Sequence, residues 1–219
     1  MIPYYREQNM KNCKESLLLY AVTDRAWTQE MTLEKQVEEA ILGGVSCVQL
    51  REKNLPEDEF LDEALRLRAL CRRYEIPLII NDNVKIAIAC HADGVHVGQE
   101  DWDPVQVRKA VGPDMWIGVT AKTVEQALAA QKAGADYLGS GAVFGTTTKV
   151  TASMTRQTLT QICASVTIPV VAIGGISKAN VEKLEGTGIA GAAIVSGIFA
   201  EPDIREACKD LRSKLERII

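Results

Sequence analysis

The chain has 219 residues, of which 47% are apolar and 25% charged, so we expect one soluble globular domain with a substantial core. The formal net charge of -4 argues against the basic surface that is typical of nucleic-acid-binding proteins. An anionic substrate would therefore have to meet a local cluster of cations rather than a general positive field.

The cysteines and the N-terminal residues predict the cellular compartment of the protein. No CxxC spacing occurs, which favours buried free thiols in a reducing compartment over disulfides or a zinc site. Residues 1–6 lack the apolar core of a signal peptide, and no apolar run is long enough to span a bilayer. We therefore expect a cytoplasmic protein with neither nucleic-acid nor membrane partners, and we leave homo-oligomerisation open. The six cysteines are Cys13, Cys47, Cys71, Cys90, Cys163 and Cys208.

Short β-rich runs recur along the chain and predict strands. Residues 1–16 are polar and uneven, and we expect them to be a lead-in segment. Residues 17–23 then form a continuous apolar run, which is typical of a strand buried on both faces. The predicted strands cover residues 17–23, 45–50, 77–81, 94–97, 115–119, 137–140, 169–173 and 192–195.

Helical patterns separate these strands, and several carry start or stop signals. Thr32 precedes an apolar pattern of helical period that Gly43 ends. A proline begins the helical stretch 56–74, and Asp103 followed by proline suits another helix start. Residues 123–126 have the form of a capping box. Each predicted strand is thus followed by a helical segment.

Eight such strand–helix units with no linker between them predict a single-domain (β/α)₈ TIM barrel over residues 1–219. An open, doubly wound sheet is the main alternative, because alternation by itself does not show that the sheet closes. The number of units favours the barrel. So does the lack of a GxGxxG turn after the first strand.

Polar residues cluster where the predicted strands end, and in a barrel these ends surround the active site. Alternation places Gln49, Arg51 and Lys53 on one side of the second strand's end. After the sixth strand, a glycine-spaced loop ends in three threonines and Lys149. The other strand ends carry Asn81, Asp82 and Asn83; His96 and Asp101; Thr120; Gly174 and Gly175; and Ser196.

These side chains suggest a site for two phosphorylated substrates. Asp82 and Asp101 suit one Mg²⁺ that holds a substrate pyrophosphate, and Arg51, Lys53 and Lys149 would neutralise the remaining phosphate charge. The loops after strands seven and eight are a common phosphomonoester site in such barrels. A diphosphate and a monophosphate bound at the same end of the barrel indicate a two-substrate transfer in which pyrophosphate leaves.

In these motifs the chain resembles the thiamine-phosphate synthase family, from Leu18 to Leu215. The resemblance implies a TIM barrel and a Mg²⁺-dependent transferase. Such an enzyme joins 4-amino-5-hydroxymethyl-2-methylpyrimidine diphosphate to a thiazole phosphate and releases pyrophosphate by a dissociative route. The matching motifs are QLREK at 49–53, Asn81-Asp82, GVHVGQED at 94–101, TTTK at 146–149, IGGI at 173–176 and Val195-Ser196.

The resemblance also implies residue roles. The residues implied to contact the pyrimidine diphosphate are Gln49, Arg51, Lys53, Asn81, Thr120 and Lys149. The catalytic residues among them are implied to be Arg51, Lys53, Thr120 and Lys149. Asp82 and Asp101 are implied to bind Mg²⁺. The residues implied to bind the thiazole phosphate are Thr146, Thr148, Gly175, Val195 and Ser196.

Several departures from the family pattern keep two alternatives open. Asn83 stands where the family usually has arginine, and Ala142 and Gly145 replace two prolines of the sixth loop. A related thiazole tautomerase relies on a histidine where Lys122 stands, so that isomerase function is a weaker match. A non-catalytic regulatory relative is the other alternative. His96 is expected to be structural rather than an acid–base catalyst.

Overall fold

A computed structural model describes residues 13–28, 30–99, 102–145 and 154–219. Its eight strands are parallel and form a closed barrel in chain order, with the last strand paired to the first. The predicted (β/α)₈ barrel is therefore confirmed, and the open sheet is excluded. The strands are β1 (Leu19–Val22), β2 (Cys47–Leu50), β3 (Leu78–Asn81), β4 (Gly94–Val97), β5 (Trp116–Thr120), β6 (Tyr137–Gly141), β7 (Val170–Ile173) and β8 (Gly191–Ile194).

Helical segments connect the strands on the outside of the barrel. In the described part of the chain, two of them are 3₁₀ helices, Arg25–Trp27 after β1 and Val181–Leu184 after β7. The α-helices are α1 (Leu33–Leu42), α2 (Glu57–Arg73), α3 (Val84–Ala89), α4 (Pro104–Val111), α5 (Val124–Lys132), α6 (Arg156–Ser165), α7 (Ser196–Phe199) and α8 (Ile204–Ile218). Among the described residues, none of these helices combines the length and apolar character needed to cross a membrane.

Two of the predicted helix starts, at Thr32 and Asp103, are confirmed by their caps. The Thr32 hydroxyl accepts from the Lys35 N–H at 3.3 Å, and the Asp103 carboxylate accepts from the Val105 N–H at 2.8 Å. A side chain that satisfies a free N–H of the first turn stabilises a helix by about 1 kcal/mol. These signals could be read from the sequence because each involves residues only two or three positions apart.

Alternation along the strands divides the core into two parts. Side chains such as Val48 and Leu138 point outward and pack under the helices, whereas Cys47 and Tyr137 point into the barrel. Residues 13–16 of the expected lead-in segment form a helical turn, and Cys13 is fully buried in the interior cluster. This part of the segment therefore contributes to the core of the barrel.

Candidate active site

The end of β2 is anchored to the end of β1. The Arg51 N–H donates to the Thr23 hydroxyl at 3.0 Å, and Arg51 Nη1 lies 3.3 Å from Asp24 Oδ2. Gln49 is only 4% exposed, and its Nε2 donates to the Tyr20 hydroxyl at 2.7 Å. Gln49 and Arg51 are thus held at the same end of the barrel, as the alternation predicts.

Lys53 and Asp82 meet at this rim, since the ammonium group of Lys53 contacts the carboxylate of Asp82. The two side chains are 49% and 27% exposed, so both remain accessible to a ligand. Asp82 has a φ of 61°, in the left-handed region that aspartate tolerates better than most residues, and its N–H donates to the His96 carbonyl at 2.8 Å. A predicted phosphate ligand and a predicted metal ligand are therefore adjacent.

A chain of hydrogen bonds runs below the rim. The ring nitrogens of His96 lie 3.1 Å from the Tyr137 hydroxyl and 3.1 Å from the Thr120 hydroxyl. The hydroxyls of Tyr20 and Tyr137 are 2.9 Å apart. Neither tyrosine was among the site residues predicted from the sequence. Each is a phenol at an inward-facing position of an apolar strand, and this pattern could have identified both.

The loops after β6, β7 and β8 pack closely together. The Phe144 N–H donates to the Gly174 carbonyl at 3.0 Å, and a Cβ on Gly175 would lie 2.2 Å from the Gly145 carbonyl oxygen. A Cβ on Gly197, in α7, would likewise lie 2.4 Å from the Ile176 carbonyl oxygen. Gly175, with a φ of 67°, is therefore close to the start of α7, where Val195 and Ser196 lie.

Four predicted site residues lie outside the described residues, namely Asp101, Thr146, Thr148 and Lys149. Their roles stay predictions. Within the described ranges, no group of three or more His, Cys, Asp or Glu side chains is arranged to hold a metal ion. Protein-bound Mg²⁺ often uses one or two carboxylates together with water and substrate oxygens, so a partly exposed Asp82 fits this ion.

Asn83 has a local structural role in this chain. Its side-chain oxygen accepts from the Ile86 N–H at 3.0 Å and caps α3. Asparagine is among the best residues at such a position. At this position the chain therefore has a helix cap and no cation.

Glu52 points away from the rim, as alternation predicts, and joins a charged cluster behind it. Arg25 Nε lies 2.9 Å from the Glu52 carboxylate, and Arg25 Nη2 lies 2.7 Å from Glu63 Oε1. Glu63 is 4% exposed. Its burial, together with the hydrogen bond and negative charge of Glu52, raises the pKa of Glu63 from its ordinary 4.5 to about 7, against the opposing effect of Arg25.

This raised pKa predicts a pH-dependent stability. The folded chain retains a proton on Glu63 between pH 4.5 and about 7, where the unfolded chain has lost it. The free energy of unfolding should therefore fall as pH rises through this window, with a contribution of at most about 1.4 kcal/mol per pH unit. Urea unfolding of Glu63→Gln across pH 4.5 to 8 should lack this contribution. Glu59→Gln, exposed on the same helix, is the control, and parallel curves for Glu63→Gln and the unmodified chain would contradict the prediction.

A closed parallel barrel whose strands end in polar side chains at a single rim defines a (β/α)₈-barrel enzyme. The family model described as thiamine monophosphate synthase matches residues 19–198. The chain belongs to this family and is a transferase of thiamine biosynthesis.

Individual relatives agree with this assignment. A thiamine-phosphate synthase of Clostridium tetani is 48% identical over 203 residues, which cover 92% of this chain and 97% of the relative. One of Clostridium botulinum is 45% identical over 95% of this chain and 98% of its own length. Among solved structures, the thiamine phosphate pyrophosphorylase of Pyrococcus furiosus has a TM-score of 0.87 and 38% identity, over 94% of this chain and 99% of that one.

Proposed function

We propose that the chain joins 4-amino-5-hydroxymethyl-2-methylpyrimidine diphosphate to a thiazole phosphate, giving thiamine phosphate and pyrophosphate. The observation that carries the proposal is the contact between Lys53 and Asp82 at the rim, beside Gln49 and Arg51. A cation and a carboxylate side by side suit a diphosphate that is bound together with a divalent ion.

The proposed diphosphate half of the site comprises the ends of β2, β3 and β5. Arg51, already oriented by Asp24, and Lys53 would neutralise the phosphate oxygens, while Gln49, Asn81 and Thr120 contact the pyrimidine. Lys149 is proposed to add a further cation. When bound by Asp82 and Asp101, Mg²⁺ would supply further neutralisation of the leaving diphosphate.

The proposed thiazole-phosphate half comprises the packed loops after β7 and β8. Gly175 lets the backbone approach a ligand closely, and the Ser196 hydroxyl supplies a donor beside Val195. Thr146 and Thr148 are proposed to complete this half. Two phosphorylated substrates held at neighbouring strand ends would need no enzyme nucleophile, because their positioning accounts for much of the rate.

In the proposed reaction, the bond between the pyrimidine methylene carbon and the diphosphate oxygen breaks first, and its electron pair leaves with the diphosphate. Arg51, Lys53 and Lys149 stabilise the charge that develops on this leaving group. The pyrimidine amino group stabilises the remaining cation. The lone pair of the thiazole nitrogen then forms the new C–N bond, which gives the thiazolium product.

Two observations weaken the alternatives. A tautomerase would not need Lys53 and Asp82 to meet at the rim. The helix cap formed by Asn83 explains that residue without a loss of catalysis.

The free cysteines, five of them buried and one partly buried, support the proposed cytoplasmic location.

The proposal predicts that pyrophosphate is released only when both substrates and Mg²⁺ are present. Purified protein should be assayed with each substrate alone, with both, and with both after chelation of divalent ions. Thiamine phosphate formed in step with pyrophosphate supports the transferase. Conversion of the thiazole phosphate without pyrophosphate release would indicate the tautomerase, and binding without turnover would indicate a regulatory relative.

A further inference from the structure

A continuous chain of hydrogen bonds crosses the interior of the barrel from β2 to β5. Gln49 Nε2 donates to the Tyr20 hydroxyl at 2.7 Å, and the Tyr20 and Tyr137 hydroxyls are 2.9 Å apart. His96 continues the chain, with Nδ1 3.1 Å from the Tyr137 hydroxyl and Nε2 3.1 Å from the Thr120 hydroxyl. Two residues of the proposed pyrimidine site, Gln49 and Thr120, are therefore the two ends of one network.

The barrel has room for this network only because two inward positions are glycine. A Cβ on Gly118 would lie 2.2 Å from the Tyr137 ring and 2.4 Å from His96 Nδ1. A Cβ on Gly139 would lie 2.9 Å from the His96 ring. Neighbouring strands β5 and β6 thus leave a space that the histidine and the tyrosine fill.

Each hydroxyl has one proton, so the hydrogen bonds of the network must all run in the same direction. With Gln49 Nε2 as the donor, the Tyr20 oxygen accepts and the proton of Tyr20 goes to Tyr137. In the same direction, Tyr137 donates to His96 Nδ1 and His96 Nε2 donates to Thr120, which requires the tautomer with the proton on Nε2. Both phenols keep their protons, since burial raises the pKa of Tyr20 and Tyr137 well above the ordinary value.

This arrangement decides which atom Gln49 offers to a ligand. If its amide turned over, Oε1 would face the Tyr20 oxygen, and Tyr20, Tyr137 and His96 would all have to exchange donor and acceptor roles together. Unless all three did so, two acceptors would oppose each other in a buried site, at a considerable cost in free energy. Among the described residues, Gln49 Oε1 accepts no hydrogen bond, so it remains available to a ligand donor.

We propose that Tyr20, Tyr137 and His96 are positioning residues. They hold the Gln49 amide so that Oε1 accepts from the 4-amino group of the pyrimidine and disfavours a 4-oxo group. The inference rests on the proposed function, because it assigns Gln49 to the pyrimidine ring. Specificity for the amino form is thus set by hydroxyl groups buried in the barrel, which need not touch the substrate.

The test removes one hydroxyl. Tyr20→Phe frees the Gln49 amide to turn, so the ratio of kcat/KM for the 4-amino over the 4-oxo pyrimidine diphosphate should fall at least about tenfold. Tyr137→Phe should act in the same direction and serves as the second variant if Tyr20→Phe does not fold. Tyr74→Phe loses a hydroxyl that bonds to Glu38 at 2.8 Å outside the barrel, and its ratio should stay unchanged. A folded Tyr20→Phe or Tyr137→Phe with an unchanged ratio, or an equal fall in Tyr74→Phe, would overturn the inference.

A calorimetric comparison separates this inference from the proposed function. The unphosphorylated 4-amino and 4-oxo pyrimidines are titrated into the unmodified chain and into Tyr20→Phe. A preference for the amino form that Tyr20→Phe loses supports the inference even if the chain turns over neither diphosphate, in which case the proposed function fails alone. Turnover by the unmodified chain with the same preference in Tyr20→Phe overturns the inference and leaves the proposed function standing.

Discussion

Asp82→Asn is expected to lower kcat/KM for pyrophosphate release by about 10²- to 10³-fold, the range found when one electrostatic contact to a transition state is removed. Asparagine has the same shape and tolerates the left-handed φ of 61° at this position, so the backbone should be retained. The variant loses the negative charge that pairs with Lys53 and that the proposal assigns to Mg²⁺ binding. Steady-state assays over a range of Mg²⁺ concentrations measure the effect.

Asp210→Asn is the matched control for this prediction. The Asp210 carboxylate pairs with Lys214 at 3.2 Å on α8, outside the barrel, and is 42% exposed. This control should keep its kcat/KM, and both variants should keep the thermal stability of the unmodified chain. Near-normal kcat/KM in Asp82→Asn would remove Asp82 from the proposed chemistry, whereas a large loss of stability would assign it a structural role.

Asp136→Ala is expected to have the opposite effect, a large loss of stability with normal activity in the molecules that remain folded. Asp136 is 8% exposed and precedes β6, at the opposite end of the barrel from the rim. Its carboxylate accepts from the Ile117 N–H at 2.7 Å and pairs with Arg108. Arg108 also donates to the Met115 carbonyl at 2.8 Å.

Removing the carboxylate leaves a buried N–H and a largely buried guanidinium group without this partner. Breaking such a pair costs about 3–5 kcal/mol, which urea unfolding can measure. Asp136→Asn retains an acceptor for Ile117 and should lose less. Asp210→Ala, which removes only a surface ion pair, should lose no more than about 0.5 kcal/mol. If Asp136→Ala lost as little as this control, the carboxylate would not be a main support of the barrel.

The site was predictable to the extent that it follows from strand direction. Once the strands are parallel, Gln49, Lys53, Asp82 and Thr120 must lie at the same end of the barrel, and the structure shows this arrangement. The contact between Lys53 and Asp82 did not follow from the sequence, because it depends on side-chain direction and on the left-handed backbone at Asp82.

The buried partners of the site were not predictable in this way. Tyr20 and Tyr137 are 117 residues apart in the chain, yet their hydroxyls form a hydrogen bond. Glu52 and Glu63 belong to a strand end and a helix whose packing decides that their carboxylates share the charge of Arg25. In both cases the pKa depends on the tertiary environment of the side chain. Burial raises the pKa of Glu63 and of Tyr137, and this burial exists only in the folded barrel.

By itself the sequence determined the alternation of strands and helices, the caps at Thr32 and Asp103, and the polar character of the strand ends. These features depend on residues a few positions apart. The spacing of apolar residues along the chain also shows which positions of a helix or strand are buried. Only the tertiary structure decided that β8 closes on β1, and that Gly118 leaves space for His96 and Tyr137. Closure and cavity shape depend on the register of all eight strands together, which no local pattern contains.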